Sequence, residues 1–229
     1  MLRKTVSISI LSLILILILY IFNSISIQHS LANKVLRLHI LANSNSNFDQ
    51  TLKLKVRDKV VEFLTPKLEN SHNLAETKEI ISNNIENIKN IAVQVVSEQT
   101  NYPITVSLNT SNFPTKHYQN VSFPAGEYEA LKIIIGEGKG NNWWCVMFPP
   151  LCFTDSSAGT FNEKSEKTLK ENLTDEEYSL INSDKPDVKI KFRLLEWWNS
   201  WRLYGKIISN YKQKEINYAI RWTSNKKYL

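Results

Sequence analysis

The sequence predicts an α+β domain, in which a mainly antiparallel sheet is covered on one face by two amphipathic helices and is preceded by an N-terminal signal or anchor helix. Three observations predict this class. Apolar residues recur at helical spacing between residues 47 and 95, they alternate with a period of two in several segments after residue 102, and most connections between those later segments are too short for a crossover helix. The composition, with 42% hydrophobic residues, 6 Gly and 7 Pro, is that of a folded chain.

The N-terminal segment has the pattern of an export signal or a membrane anchor. Arg3 and Lys4 precede seventeen residues, 6–22, whose most polar members are three serines and one tyrosine. The basic flank is expected to stay in the cytoplasm, so the rest of the chain is expected on the other side of the membrane. Cleavage after the small-x-small sequence Ser30-Leu31-Ala32 and retention as an anchor both stay open, because seventeen residues are at the lower limit for one span.

Changes in composition divide the chain into four parts. These are a signal peptide or membrane anchor at 1–32, a core α+β domain at 33–155, a polar insertion or linker at 156–187, and a strand followed by an aromatic helical tail at 188–229. Within the polar insertion, Thr174 and Glu177 have the spacing of a capping box, so a short helix is expected to begin there.

The core domain is predicted to open with a strand and a helix. Residues 35–42 alternate in the manner of a buried strand. The run Asn43–Asn47 follows, and its side chains favour turns and helix N-caps. Leu52, Val56 and Val60 then recur at four-residue spacing, which indicates an amphipathic helix.

A second helix is predicted to begin at Asn73. Glu76 stands three residues further on, as in a helix-start signal, and apolar residues then recur from Leu74 to Val95. The pattern predicts one amphipathic helix of about seven turns.

Strands are predicted for the second half of the core domain. Residues 104–108 alternate with a period of two, and 127–135 and 143–148 are apolar runs that end at turn signals. Because the glycine-rich stretch 136–142 joins the last two, we expect them to form a β-hairpin. The residues expected to be buried in the whole domain are Leu52, Val56, Val60, Ile81, Ile85, Ile88, Val106, Ile134 and Val146.

Several function classes have no support in the sequence. The net charge of +6 comes without any run of five or six basic residues, so no nucleic-acid partner is expected. Gly136, Gly138 and Gly140 lead from one strand into another and not into a helix, which indicates a turn and not a phosphate loop. The four histidines lack ligand spacing, and no nucleophile-elbow motif is present. We therefore expect no catalytic residue, metal, cofactor or small-molecule substrate.

Cys145 and Cys152 are the two cysteines of the chain. Cys145 stands in an aromatic, apolar strand that disfavours a thiolate, so a buried or paired cysteine is the preferred interpretation over a catalytic one. A disulfide between the two is a further hypothesis, since an exported protein permits one and Pro149-Pro150 can turn the chain back. His39 shares a strand face with Arg37, and a structural polar patch, with Asp58 from the next helix, is expected there.

Two long motifs resemble those of a known family. The first is LRLHILANSNS from Leu36 to Ser46, followed by Asp49-Gln50 and by LKLKVRD from Leu52 to Asp58. The second is NWWCVMFPPLCF from Asn142 to Phe153. Both resemble the signatures of the stage II sporulation protein R family, and the resemblance covers residues 35–153. The candidate partner-binding or motif residues are Arg37, His39, Asn43, Ser44, Asp49, Arg57, Asp58, Trp143, Trp144, Pro149 and Pro150.

The resemblance implies a signalling protein of endospore formation in Firmicutes. Such a protein is made in the forespore and exported into the space between forespore and mother cell, with residues 6–22 as a signal or anchor. There it activates a membrane-embedded aspartic protease, which processes pro-sigma E. In this interpretation the chain is the signal and not an enzyme.

Two alternative functions stay open at this point. One is a secreted cell-envelope hydrolase that uses Cys145 and His39. The other is a membrane-surface module, because the tail carries Trp197, Trp201 and neighbouring aromatic residues among lysines and arginines.

Overall fold

The computed structural model describes residues 2–69, 71–118, 121–151, 163–182, 196–198 and 200–202. In chain order the elements are α1 (Leu2–Ala32), β1 (Leu36–Leu41), α2 (Asn47–Leu68), α3 (Leu74–Asn83), α4 (Ile85–Ser97), β2 (Ile104–Phe113), β3 (Lys116–Tyr118), β4 (Val121–Phe123), β5 (Gly126–Ile135), β6 (Asn142–Phe148), α5 (Glu163–Asn172) and α6 (Asp175–Ile181). The α+β class predicted from the sequence is confirmed. The strand and most of the tail predicted for 188–229 lie outside the described residues.

The main sheet has the strand order β2-β5-β1-β6 within the described part of the chain. Strand β5 pairs antiparallel with β2, and β1 pairs antiparallel with β6, whereas β1 and β5 run parallel. The sheet is therefore mixed, with two of these three pairings antiparallel. Strands β3 and β4 form a separate two-stranded ribbon.

The predicted hairpin of the last two strands is wrong, because β1 lies between β5 and β6. Their glycine-rich connection crosses over the end of β1 instead of making a tight turn. The backbone N–H of Gly140 donates to the carbonyl of Ala42 at 2.9 Å, and that of Lys139 donates to Asn43 at 3.1 Å. A strand that is buried on both faces belongs at the centre of a sheet, and β1 lies there, between β5 and β6.

Helices α2 and α4 cover one face of the sheet. Leu36, Leu38 and Ile40 of β1 point into this first core, together with apolar residues of β5 and β6. Of the nine residues expected to be buried, Leu52, Val56, Val60, Ile81, Ile88 and Val146 are buried, while Ile85, Val106 and Ile134 are half-buried. Among the described strands, β2 has β5 as its one neighbour, and this edge position accounts for the partial exposure of Val106.

The single long helix predicted after Asn73 is divided into α3 and α4 at Asn84. The start is as predicted, since the Asn73 side chain accepts from the backbone N–H of Glu76 at 2.9 Å. At Asn84 the backbone leaves the helical region, with φ −113° and ψ 9°. Its side-chain amide donates to the carbonyl of Ile80 at 2.8 Å. Asparagine competes with helical hydrogen bonding in this way, which is why the apolar period alone did not reveal the break.

A second core covers the other face of the sheet, where the sequence predicted no layer. It combines the end of α1, the β3–β4 ribbon, α5 and α6 with Val35, which precedes β1, and with residues of β2, β5 and β6. Leu31 of α1 is fully buried there. The predicted capping box is confirmed, because Thr174 and Glu177 exchange side-chain and backbone hydrogen bonds at the start of α6.

Candidate functional site

The motif residues fall mainly into two groups at different places on the sheet. The first group, which we call the loop network, surrounds the C-terminal end of β1. It consists of Asn43, Ser44, Asn45, Asp49, Gln50, Lys53 and the connection 136–142. The second group, the aromatic cage, surrounds Arg37 in the second core.

Asp49 is the centre of the loop network. It lies buried in the first turn of α2, where its Oδ2 accepts from the Ser44 hydroxyl at 2.5 Å and from the Asn43 amide at 3.0 Å. Burial acts to raise the pKa of Asp49, but the hydrogen bonds from Ser44, Asn43 and Ser46 outweigh it and hold the pKa below its usual range. The carboxylate therefore stays charged and fixes the loop against the start of α2.

The same loop is bound to the glycine-rich connection. Asn43 Oδ1 accepts from the backbone N–H of Glu137 at 3.0 Å, and Asn45 Oδ1 accepts from that of Asn141 at 2.6 Å. A side chain at Gly140 would collide with the carbonyl of Ser44, so only glycine permits this close approach. The loop network thus joins β1, α2 and the connection between β5 and β6 into one rigid corner.

Lys53 completes this corner from α2. Its ammonium is buried and donates to Gln50 Oε1 at 2.6 Å and to the carbonyl of Asn141 at 3.0 Å. Burial, with a smaller contribution from Arg57, lowers the pKa of Lys53. Sequence reasoning missed Lys53, because it placed this lysine on another face of the helix than Leu52, Val56 and Val60.

Arg37 is fully buried in the aromatic cage. Its guanidinium carbon lies 4.4 Å from the ring centroid of Phe113, 5.0 Å from Tyr128, 5.3 Å from Phe123 and 6.0 Å from Tyr118. Nε donates to the carbonyl of Cys145 at 3.0 Å and Nη2 donates to the Tyr118 hydroxyl at 3.0 Å, whereas Nη1 has no partner. Among the residues that the structure describes, aromatic faces and not a carboxylate surround this cation.

His39 lies next to the aromatic cage on the same sheet face. Its ring stacks on Trp144 with the centroids 3.8 Å apart, and its Nε2 lies 2.8 Å from Asn142 Oδ1. Burial lowers the pKa of His39 to about 4, despite the opposing hydrogen bond to Asn142. The imidazole is neutral near pH 7, and it links the cage to the loop network through Asn142.

The structure contradicts a pairing of His39 with Asp58 or with Cys145. Asp58 is exposed on α2, beyond the opposite face of the sheet, and its carboxylate pairs with Arg57 at 2.6 Å. Cys145 belongs to the first core, while His39 stacks on its neighbour Trp144 on the second side. Successive side chains of β6 point to opposite faces, and this separates the thiol position from the imidazole.

Cys145 is disulfide-bonded. Cys152 lies outside the described residues, so its pairing with Cys145 stays a prediction. Pro149 is buried after β6 and follows a cis peptide bond, and Pro150 is half-buried.

Arg57 and Trp143 form a third, smaller contact on the helix-covered side. The Arg57 guanidinium lies 4.2 Å from the Trp143 ring centroid, which is a cation–π distance. No group of three His, Cys, Asp or Glu side chains is placed to hold a metal ion among the residues that the structure describes.

Comparison with known proteins gives two matches that agree. The family model for stage II sporulation protein R matches residues 32–158, which is more than half of the chain. Stage II sporulation protein R of Bacillus subtilis (strain 168) is 37% identical over 181 residues, covering 73% of this chain and 81% of that protein. The chain belongs to the stage II sporulation protein R family. No solved structure matches it.

The family match spans β1 to β6 and so includes the loop network and the aromatic cage. It therefore places this member of the stage II sporulation protein R family among sporulation proteins. Sequence reasoning missed the aromatic residues that surround Arg37, namely Phe113, Tyr118, Phe123 and Tyr128, because they come from separate strands. It also missed Phe48, an aromatic side chain that is 45% exposed next to the loop network.

Proposed function

We propose that this protein is an exported intercellular signal of endospore formation, which activates a membrane-embedded aspartic protease and so triggers processing of pro-sigma E. Membership of the stage II sporulation protein R family is the observation that carries the proposal. The N-terminal helix supports it, because the segment Lys4–Ala32 is long and apolar enough to cross a membrane.

The described side chains support a binding role more than a hydrolytic one. The geometry does not support a hydrolase that uses Cys145 and His39, because the two side chains face opposite sides of the sheet and Cys145 is in a disulfide. His39, Asp49 and Lys53 are buried in hydrogen-bonded positions that hold the fold.

The surface next to the loop network is the preferred contact for the protease. Residues 45–48 are exposed, and they include the aromatic ring of Phe48. The hydrogen bonds of Asn43, Asn45 and Asp49 hold this surface in one conformation, so little entropy is lost when a partner binds. Exposed aromatic residues on rigid loops concentrate binding energy.

Reconstitution in a non-sporulating bacterial host tests the proposal. The full chain is co-expressed with the sporulation protease and pro-sigma E, and the processed sigma factor is measured by immunoblot. We expect processing only when all three are present. Absence of processing, with all three proteins detected and the protease active under another trigger, would contradict the proposed function.

Two matched variants test the contact surface in the same host. Phe48→Asp places a charge on the proposed surface, and Val93→Asp places one on α4, where Val93 is 43% exposed. We expect Phe48→Asp to reduce processing at least about tenfold, since burying an unpaired carboxylate in an interface is costly. With Val93→Asp, we expect the same amount of processed sigma factor as with the wild type. Equal amounts of processed sigma factor with the two variants, at equal protein levels, would show that the protease contacts another part of the domain.

A further inference from the structure

Helix α1 passes without interruption from its apolar segment into the folded domain. Residues 6–19 are exposed, whereas Ser24, Gln28 and Leu31 are buried against the domain. The end of the helix is fastened by Glu177, which accepts from the Ser30 hydroxyl at 2.6 Å and from the Lys34 ammonium at 2.7 Å. The position of the domain relative to its apolar helix is thereby fixed.

Two large exposed indoles lie in residues 196–198 and 200–202, the tryptophan segment, whose Arg202 lines a pocket with Gln28 and His29 of α1. Trp197 is 62% exposed and Trp201 is 67% exposed. Residues 196–198 and 200–202 are helical, so the two tryptophans, four positions apart, lie on the same side of the segment. Exposed tryptophans are uncommon on the surface of a soluble domain, and a pair on one side indicates a contact surface.

The tryptophan segment lies at the level of Gln28 along α1. Arg202 forms an ion pair with Glu127 at 3.5 Å, near the start of β5. Gly126, the preceding residue, packs so closely on the Gln28 side chain that a Cβ would collide with it. Glu196 and Ser200 line a pocket with Gly126, which places the other side of the segment against the same corner of the domain.

The helix geometry sets the depth of this level in a bilayer. A hydrocarbon core of about 30 Å takes about 20 helical residues, and counted from the end of the basic flank at Lys4 these finish near Ser24. Gln28 lies four residues further, or about 6 Å at 1.5 Å per residue. The headgroup layer on each side is about 5–7 Å thick, so the tryptophan segment stands at its depth.

We propose that Trp197 and Trp201 insert into the headgroup layer of the membrane that α1 crosses, so that the domain rests on the bilayer through this face. The indole ring is suited to this layer, because its apolar body prefers the acyl boundary and its N–H can bind water or lipid oxygens. The occupant of the exposed indole face is therefore lipid and not a second protein. This inference is independent of the proposed protease activation.

Fluorescence quenching by brominated lipids tests the proposal on the full chain. The protein is inserted into phosphatidylcholine and phosphatidylglycerol vesicles whose acyl chains carry bromine either near the headgroup or near the chain end. We expect bromine near the headgroup to quench more strongly. Trp197→Phe combined with Trp201→Phe is expected to lose about half of the quenchable emission, because these indoles stand in the headgroup layer. Trp143→Phe, a change at the opposite end of β1, should lose none.

Three results would overturn the proposal. One is equal quenching of the wild type and the double variant, with both folded by circular dichroism. Another is stronger quenching by bromine at the chain end, which would place the emission in the hydrocarbon core. The third is a dimer in detergent that the double variant no longer forms, which would show that a second copy covers the indoles.

Discussion

Arg37 shows how one residue organises the second core. Its cation lies among four aromatic rings and is hydrogen-bonded through two of its three nitrogens, with no carboxylate partner in the described part of the chain. Burial of such a charge is unfavourable unless the surroundings compensate, and here rings and one backbone carbonyl supply the compensation. The long side chain also fills the space between the sheet and the β3–β4 ribbon.

Truncation of the Arg37 side chain should therefore lower the free energy of unfolding more than removal of its charge alone. We expect Arg37→Ala to lower the free energy of unfolding by about 3 kcal/mol, because a large buried side chain is lost and a cavity remains. Arg37→Met keeps most of the volume and removes the unpaired Nη1, so a loss of about 1 kcal/mol is expected. Urea unfolding of the detergent-solubilised protein measures both. Equal losses of unfolding free energy in Arg37→Ala and Arg37→Met would show that the charge of Arg37, and not its volume, determines its contribution to stability.

His39 makes stability depend on pH. Its pKa is lowered to about 4 in the folded chain, from about 6.5 in the unfolded chain. The unfolded state thus binds more protons between these values, so His39 contributes fully above pH 6.5 and this contribution is lost as the pH falls toward 4. The difference corresponds to about 3 kcal/mol at most.

Replacement of His39 by Phe should remove this part of the pH dependence. Phe keeps the stacking on Trp144 but cannot titrate. We expect the loss of unfolding free energy between pH 7 and 4.5 to be smaller in His39→Phe than in the wild type, by about 2 kcal/mol. The pKa of Asp49 is also lowered, so Asp49 too contributes stability that is lost as the pH falls, at lower pH than for His39. This contribution is the same in the wild type and in His39→Phe, so it cancels in the comparison. An unchanged pH profile would contradict the burial of His39.

At the scale of elements, α6 determines how α1 is held. The Glu177 carboxylate caps α6 by accepting from the backbone N–H of Thr174 at 2.8 Å. It also accepts hydrogen bonds from the Ser30 hydroxyl and the Lys34 ammonium. One buried carboxylate therefore caps α6 and also holds the end of α1 by hydrogen bonds. Burial acts to raise the pKa of Glu177, but the hydrogen bonds from Lys34, Ser30 and Thr174 lower it overall, so the group stays charged.

Removal of this carboxylate should destabilise the domain strongly. We expect Glu177→Ala to lower the free energy of unfolding by about 3 kcal/mol, because a cap is lost and Lys34 and Ser30 lose their partner. Glu171→Ala on α5 is the control, since Glu171 makes only an exposed ion pair with Lys167 at 3.8 Å and should change stability by less than about 0.5 kcal/mol. Thermal unfolding followed by circular dichroism compares them. A Glu177 variant as stable as the Glu171 variant would refute the fastening of α1.

At the scale of the whole molecule, the sequence predicted local structure better than the partners of each element. The alternation of β1 placed Arg37 and His39 correctly on one face, where both contact Phe113, and the caps at Asn73 and Thr174 were predicted from three-residue spacing. Strand order could not be read in this way, because pairing joins residues that are far apart in the chain. The cage around Arg37 has the same cause, since its four rings come from β2, β3, β4 and β5.

The central place of β1 has a consequence for the order of folding. Leu38 pairs with Leu131 on one side and with Cys145 on the other, so each partner stands about a hundred residues later in the chain. In the proposed export the basic N-terminal flank stays in the cytoplasm and the chain follows α1 across the membrane, so β1 would emerge long before either neighbour. Long-range pairing of this kind makes folding slow, and the sheet cannot close until most of the polypeptide has passed. In the proposed export, this topology would keep the chain unfolded during its passage across the membrane.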